Sequence, residues 1–166
     1  MVESSEVFSG KVKHKGIFDY KQLYSFCYTW LVDKGYLLLE RTYSEKIGAE
    51  GKEVEIEWEC FKKISDYFRF KLKIKWLILR MKDVEVEKDG NKVGMNKGEP
   101  EIKVTAYLEK DYESRWEGHP FWKFLRDLYN RYIIRGRIDD YEARVHGEAD
   151  EFLAQVKAYL ALEGKH

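Results

Sequence analysis

Glu53-Val-Glu-Ile-Glu-Trp-Glu-Cys60 alternates glutamates with apolar residues, and Phe68-Arg-Phe-Lys-Leu-Lys-Ile-Lys-Trp76 alternates apolar residues with cations. A period of two is typical of a β-strand that has one solvent-exposed face and one buried face. Because the exposed face of the first segment is acidic and that of the second is basic, we predict that the two strands pair as an antiparallel hairpin.

The predicted hairpin has a register in which charge pairing and apolar pairing agree. A turn within Lys62 to Asp66 puts Glu57 opposite Lys71 and Trp58 beside Phe70. A slip by a single residue would move every apolar side chain of a strand to its exposed face, so the faces are strongly specified. The charge pairs are predicted to be solvated cross-strand partners rather than a catalytic array of carboxylates.

Four other segments carry a strand pattern, and they are Val7 to Lys13, Tyr36 to Ser44, Asp83 to Lys88 and Glu101 to Glu109. The polar loop from Asp89 to Gly98 is predicted to join the last two, because it is too long for a tight turn. The apolar phase slips after Trp76, since Leu77 and Leu79 stand at odd positions whereas the earlier apolar residues stand at even ones. This slip predicts a bulge or bend near Leu77 to Asp83, which either curls one long strand or marks the end of one strand and the start of the next.

A helical pattern follows the first strand. Asp19 is a predicted N-cap, and apolar residues then recur at helical spacing as far as Gly35. The same helix carries a second stripe that could edge a pocket but more often rims a core, and this stripe consists of Tyr20, Tyr24 and Tyr28.

The helical pattern returns at Pro120 and continues towards the end of the chain. Its first stripe is Phe121, Phe124, Leu125, Leu128 and Tyr132, and its second is Tyr141, Val145, Ala149, Phe152, Leu153, Val156 and Leu160. Gly136 lies between the two series, so the pattern leaves open whether the segment forms one helix or two.

The composition limits the class of protein. Thirty basic and thirty acidic residues cancel in the 166-residue chain, so no global field favours nucleic acid or an anionic membrane, although a local patch could do so. No apolar run reaches the length of a membrane span and no signal peptide is recognised, which predicts a cytoplasmic protein. Cys27 and Cys60 fall on apolar faces, so buried thiols are predicted rather than a disulfide or a metal pair. The length suits a single domain over residues 1–166.

The predicted elements run in the order strand, helix, several antiparallel strands and a long C-terminal helical segment. We therefore predict an α+β fold in which a curved antiparallel sheet of about six strands packs on an N-terminal helix and on the C-terminal segment. This order resembles that of the START-like helix-grip superfamily, in which a curved sheet wraps a long C-terminal helix. The resemblance implies a hydrophobic small-molecule pocket between the sheet and the helix.

Aromatic residues make up 16% of the chain, and they are the candidate lining of such a pocket. The predicted ligand-binding residues are Trp30, Trp58, Phe70, Trp76, His119, Phe121 and Tyr132. His119 could grip a ligand ring or act as a general base, or it could simply belong to the helix cap. The favoured function is non-enzymatic binding of a hydrophobic small molecule, without a cofactor. A fully packed core made of the same aromatic residues is the competing interpretation.

The alternative function is a protein- or RNA-interaction module. Its candidate residues are Arg126, Arg131, Arg135 and Arg137, together with the basic strand face from Arg69 to Lys75. Acidic residues lie at helical spacing from these arginines, so ion pairs along the helix surface are the simpler explanation. No set of nucleophile, base and orienting residue favours an enzyme. Glu142, His146 and Asp150 have a spacing that a metal could use, but no metal site is predicted on this exposed face.

Overall fold

The structure is a computed structural model, and it describes residues 3–110, 120–128 and 135–163. These ranges contain six strands and three helices, which confirms the predicted α+β class. In chain order they are β1 (Glu3–Lys13), β2 (Gly16–Phe18), α1 (Tyr20–Asp33), β3 (Leu37–Gly48), β4 (Gly51–Lys63), β5 (Phe68–Lys88), β6 (Asn91–Lys110), α2 (Pro120–Leu128) and α3 (Arg135–Glu163).

The strands form one open, curved antiparallel sheet in the order β1-β6-β5-β4-β3, and β2 also pairs with β6. Strands β3 to β6 form a meander, whereas β1 reaches across the chain to lie beside the last strand. The helices α1 and α3 cover one face of this sheet, which we call the inner face. The opposite face, which carries the charged residues of β4 and β5, is called the outer face.

The faces predicted for the hairpin of β4 and β5 are confirmed, but the predicted register is wrong. Glu57 stands opposite Lys75, with the two side chains 3.7 Å apart, and Trp58 stands opposite Ile74. The turn lies further along the chain than expected because Ser65 organises it: its Oγ accepts hydrogen bonds from the backbone N–H groups of residues 67 and 68. The difference in register is an even number of residues, so every side chain keeps its predicted face.

The loop predicted from Asp89 to Gly98 is also wrong, because β5 and β6 are joined by a two-residue turn. Asp89 and Gly90 both have positive φ angles, 54° and 80°, and Lys88 pairs with Asn91. Asp-Gly is a favoured sequence for a type I′ hairpin turn, which requires positive φ at both central positions. The polar segment after the turn therefore continues as strand β6, and the end of this hairpin projects as a two-stranded arm.

The predicted bulge is confirmed at Arg80, where φ is 54° and the register of β5 shifts between Leu79 and Lys82. Both neighbouring strands carry a glycine at this point. A Cβ atom on Gly51 would lie 2.8 Å from the backbone of Arg80, and one on Gly98 would lie 3.0 Å from the carbonyl oxygen of Leu79. These glycines let the bulged backbone approach closely, and the bulge bends the arm relative to the rest of the sheet.

The core lies between the inner face and the two long helices. The Asp19 carboxylate accepts a hydrogen bond from the Gln22 backbone at 3.1 Å, as predicted for the N-cap of α1, and Gly35 ends this helix with φ 97°. The helix α3 buries most of its predicted series, namely Val145, Ala149, Phe152, Leu153, Val156 and Leu160. Cys27 and Cys60 are free, fully buried thiols, as expected from their positions. Among the described helices, none is long and apolar enough to cross a bilayer.

Candidate functional site

Three of the predicted ligand-binding side chains belong to the packed core, and a fourth, Trp30, is partly buried and packs against it. Trp58 and Trp76 are at most 2% exposed, and their ring centroids lie 5.2 Å apart in an edge-on arrangement. Phe70 is fully buried, and Trp30 packs against Phe152 of α3 with 5.4 Å between ring centroids. Their contacts are therefore largely with one another and with α3, and a ligand-binding role for them stays a prediction.

The remaining predicted residues lie elsewhere in the chain. Phe121 is 55% exposed on α2, whereas His119 and Tyr132 lie outside the described residues, as does Arg131. Arg126 is buried, and its guanidinium lies 3.1 Å from the Glu3 carboxylate. The two other candidate arginines, at positions 135 and 137, are exposed in the first turns of α3. Protein or RNA binding through these arginines stays a prediction.

A groove of about 1130 Å³ lies on the inner face, between the N-terminal half of α1 and the arm of β5 and β6. It lies where the bulged strand β5 continues into the arm. The backbone N–H of Tyr20 donates to Asn96 Oδ1 at 2.9 Å and ties the start of α1 to the arm. The groove is lined by Asp19, Tyr20, Lys21, Gln22, Tyr24, Tyr43, Glu45, Lys52, Met81, Asp83, Val84, Glu85, Gly94, Met95 and Asn96.

One wall of the groove is a chain of hydrogen bonds between α1 and β3. The Tyr20 and Tyr43 hydroxyl oxygens are 2.8 Å apart, and the Tyr43 hydroxyl donates to Glu45 Oε1 at 2.8 Å. Lys52 Nζ lies 3.4 Å from the other oxygen of the same carboxylate. This chain fixes the orientation of both phenol rings, and rigid aromatic rings are suited to holding a ligand at a low cost in conformational entropy.

A second set of contacts joins the groove to the tryptophans of the core. Glu40 Oε1 accepts from the Tyr24 hydroxyl at 2.7 Å and from Trp58 Nε1 at 3.1 Å. The Tyr24 ring also contacts both tryptophans, with centroid distances of 5.2 Å to Trp58 and 6.0 Å to Trp76. The predicted core aromatics therefore support the groove wall through Tyr24.

Burial and hydrogen bonding set the protonation states of the ionisable groups in the wall. Burial, followed by the hydrogen bonds to Tyr43 and Glu40 respectively, raises the pKa values of Tyr20 and Tyr24 well above their ordinary range, and burial also raises the pKa of Tyr43. The hydrogen bond from Tyr43 lowers the pKa of Glu45. At neutral pH the phenols are therefore neutral donors beside an ionised carboxylate.

Only part of the groove could be predicted from the sequence. The tyrosine stripe of α1 and the bulge in β5 were both visible in the sequence, and each forms one side of the groove. Tyr43, Met81 and Met95 were not predicted to line a site, because they lie on three different strands that only the fold brings together with α1. The paired glycines beside the bulge, Gly51 and Gly98, are the signal that could have located the bend.

Comparison with known proteins gives no relative from which a function could be carried over. The chain matches no protein-family model, no curated protein and no solved structure. Function is therefore inferred from the geometry of the groove and of the sheet surfaces.

Proposed function

We propose that this protein is a non-enzymatic binding protein that holds a hydrophobic small molecule in the groove between α1 and the arm. The observation that carries the proposal is the combination of ordered phenol rings on one wall with apolar side chains opposite them. Met81 and Met95 are 7% and 5% exposed, and Val84 lies beside them. Mostly apolar concave sites with a few oriented polar groups are the usual form of small-molecule sites, and they measure roughly 300–1,000 Å³.

The charges around the groove narrow the class of ligand. The lining includes four carboxylates and two lysines, and one of these lysines already faces Glu45. A net negative rim disfavours an anionic ligand and favours a neutral or cationic one. Ring stacking on Tyr20 or Tyr24 and contact with the methionine side chains suit a flat aromatic or polycyclic molecule, whose polar group would meet the Tyr43–Glu45 pair.

The topology is also compatible with a helix-grip interpretation. The first strand lies beside the last, a meander connects them, and a long C-terminal helix crosses the curved inner face. We include membership of that superfamily in the proposal, although here the described opening lies beside α1 and not beside α3. In this arrangement α3 supplies the packed core, and the N-terminal helix supplies the binding wall.

The test uses Nile red, an uncharged dye whose fluorescence rises in apolar sites. Val84→Trp should fill the groove and weaken dye binding by roughly tenfold, which corresponds to about 1.4 kcal/mol. Val86→Trp is the matched control, because Val86 stands two residues further along the same strand and is not part of the groove lining. Equal affinity of the two variants and the wild type would contradict the proposal.

Native mass spectrometry of protein purified from its own host provides an independent measurement. We expect a bound mass of a few hundred daltons that Val84→Trp removes and Val86→Trp retains. Protein that carries no adduct, together with an unchanged response to Nile red, would remove the small-molecule interpretation.

A further inference from the structure

The outer face of the sheet carries a basic patch that the groove does not use. Its members lie on three adjacent strands, and four of them are exposed. We call this patch the lysine face, and it consists of Lys11, Lys71, Lys73, Lys75 and Lys103. It lies on the side of the sheet away from α1 and α3, so ligands could reach it without entering the groove.

The register places like charges directly beside one another in this face. Lys103 of β6 pairs with Lys75 of β5 on one side and with Lys11 of β1 on the other. Like charges at opposing positions of neighbouring strands repel and destabilise the sheet. Between β4 and β5, by contrast, glutamates stand opposite lysines. The row of three lysines across β1, β6 and β5 therefore departs from the charge pairing seen elsewhere in the sheet.

The neighbouring carboxylates neutralise only part of the patch. Lys75 lies 3.7 Å from Glu57, and Lys11 lies 3.8 Å from Glu101. Glu59 stands opposite Lys73, but its carboxylate is engaged by Arg41 at 3.2 Å. Within the described part of the chain, neither Lys73 nor Lys103 has an ion-pair partner.

Two aromatic rings flank the lysines on the same face. Phe61 of β4 and Tyr107 of β6 stand on either side of Lys71, whose ammonium lies 5.7 Å and 5.9 Å from their ring centroids. Both rings are partly exposed. A depression of about 190 Å³ is lined by Tyr107, Thr105 and three of the lysines, and by the Glu6 carboxylate of β1, which stands opposite Tyr107. The Arg69 guanidinium lies over the Phe61 ring, 4.4 Å from its centroid, so the face offers the partly exposed Tyr107 ring beside two lysines that lack partners among the described residues.

We propose that the lysine face binds single-stranded nucleic acid, with phosphates on Lys73, Lys75 and Lys103 and a base stacked on Tyr107. Cationic surfaces that carry accessible aromatic rings are the common platform for single strands, because every base can stack on a ring. Alternate residues of a strand lie about 6.6 Å apart, which suits the phosphate spacing of an extended single strand. The bases of a duplex are paired and stacked on one another, so a duplex would contact the lysines but would not stack on Tyr107.

The primary test measures fluorescence anisotropy of a labelled oligouridylate of about twelve nucleotides, with the matching oligodeoxythymidylate as a second probe. Comparable affinity for both probes indicates a general single-strand site, and a preference for the first indicates an RNA site. With three phosphate contacts, affinity should fall about 20-fold between roughly 50 and 200 mM salt. A flat salt response would overturn the proposal.

Two double variants distinguish binding at the lysine face from general electrostatic attraction. Replacing Lys73 and Lys103 together by glutamine should weaken binding by about tenfold or more and should reduce the salt slope by about 1.4. Replacing Lys88 and Lys92 on the arm by glutamine changes the net charge equally and should leave binding almost unchanged. Equal losses in the two double variants would show only general attraction between the protein and a polyanion.

The melting temperature distinguishes a binding role of Lys103 from a structural one. Lys103→Gln removes repulsion with both neighbours, so its melting temperature should equal or exceed that of the wild type while its affinity falls. Tyr107→Leu keeps the apolar contact and should lose roughly tenfold in single-strand affinity but not in duplex affinity. Unchanged single-strand binding in Tyr107→Leu would overturn the stacking interaction. These results are independent of the groove, because Val84→Trp should not affect them.

Discussion

A buried ion pair between α3 and the sheet allows a demanding test of the packing. Glu148 of α3 accepts a hydrogen bond from Lys62 of β4 at 2.7 Å and another from the Tyr36 hydroxyl at 2.6 Å. The Lys62 and Glu148 side chains are only 17% and 15% exposed. Their charges are therefore largely removed from water, and each depends on the other.

Removing the carboxylate should leave the Lys62 ammonium buried without its counterion. Breaking a fully buried pair costs about 3–5 kcal/mol, and the residual exposure of this pair reduces the expected cost of Glu148→Gln to about 2–3 kcal/mol. For a chain of this size, such a loss should lower the melting temperature by roughly 5–10 °C. Urea unfolding, followed by circular dichroism, measures the free energy directly.

A surface ion pair between the end of α1 and α3 provides the control. Lys34 and Glu151 lie 3.5 Å apart with 38% and 49% of their side chains exposed, so Glu151→Gln should cost at most about 0.5 kcal/mol. The double variant with Lys62→Met and Glu148→Leu should recover most of the loss, because an apolar pair needs no counterion. If Glu148→Gln cost no more than Glu151→Gln, the inferred burial of the pair would be refuted.

Two further predictions follow from the sheet and the core. Glu57→Lys should lower the free energy of unfolding by a few tenths to about 1 kcal/mol, and adding Lys75→Glu should restore most of this loss. Trp58→Ala should lower it by about 3–5 kcal/mol in the same urea titration. Equal losses for Glu57→Lys and Trp58→Ala would contradict the assignment of exposed and buried faces. Burial raises the pKa of the Cys60 thiol from 9.0 to about 12. Because the unfolded chain loses this proton at a lower pH than the folded chain, the free energy of unfolding should fall as the pH rises from about 9 towards 12. Cys60→Ala should flatten this decline in alkaline urea titrations, and an unchanged slope would exclude the thiol as a contributor.

The strand faces could be predicted from the sequence because the alternation of charged and apolar residues is a local and redundant signal. Each of β4 and β5 repeats the pattern several times, so an error in the turn does not change which side chains are buried. The register depended on the turn alone. There the hydrogen bonds of Ser65 decided the geometry, and the charge pairing was compatible with more than one alignment.

The second strand of the arm was missed for a different reason. The segment Asp83 to Lys88 was predicted as a strand, but the polar, glycine-bearing segment after Gly90 has only Val93 and Met95 as apolar positions, which is too few to indicate a strand. Only the Asp89-Gly90 turn signal remained, and its significance depends on recognising that both flanking segments are strands. The groove depends on this arm, so its position could not be predicted before the hairpin was known.

The strand β5 explains how one sheet can present two separate surfaces. Up to Ile78 its even positions face the helices, and its odd positions, which include Lys73 and Lys75, face outwards. The bulge at Arg80 changes this parity, so Met81 turns inwards and the strand continues into the arm that bounds the groove. Because the pleat keeps the lysines and the apolar side chains on opposite sides, changes to one surface need not disturb the other. The two proposed activities can therefore be separated by single substitutions, although the same strand contributes to both.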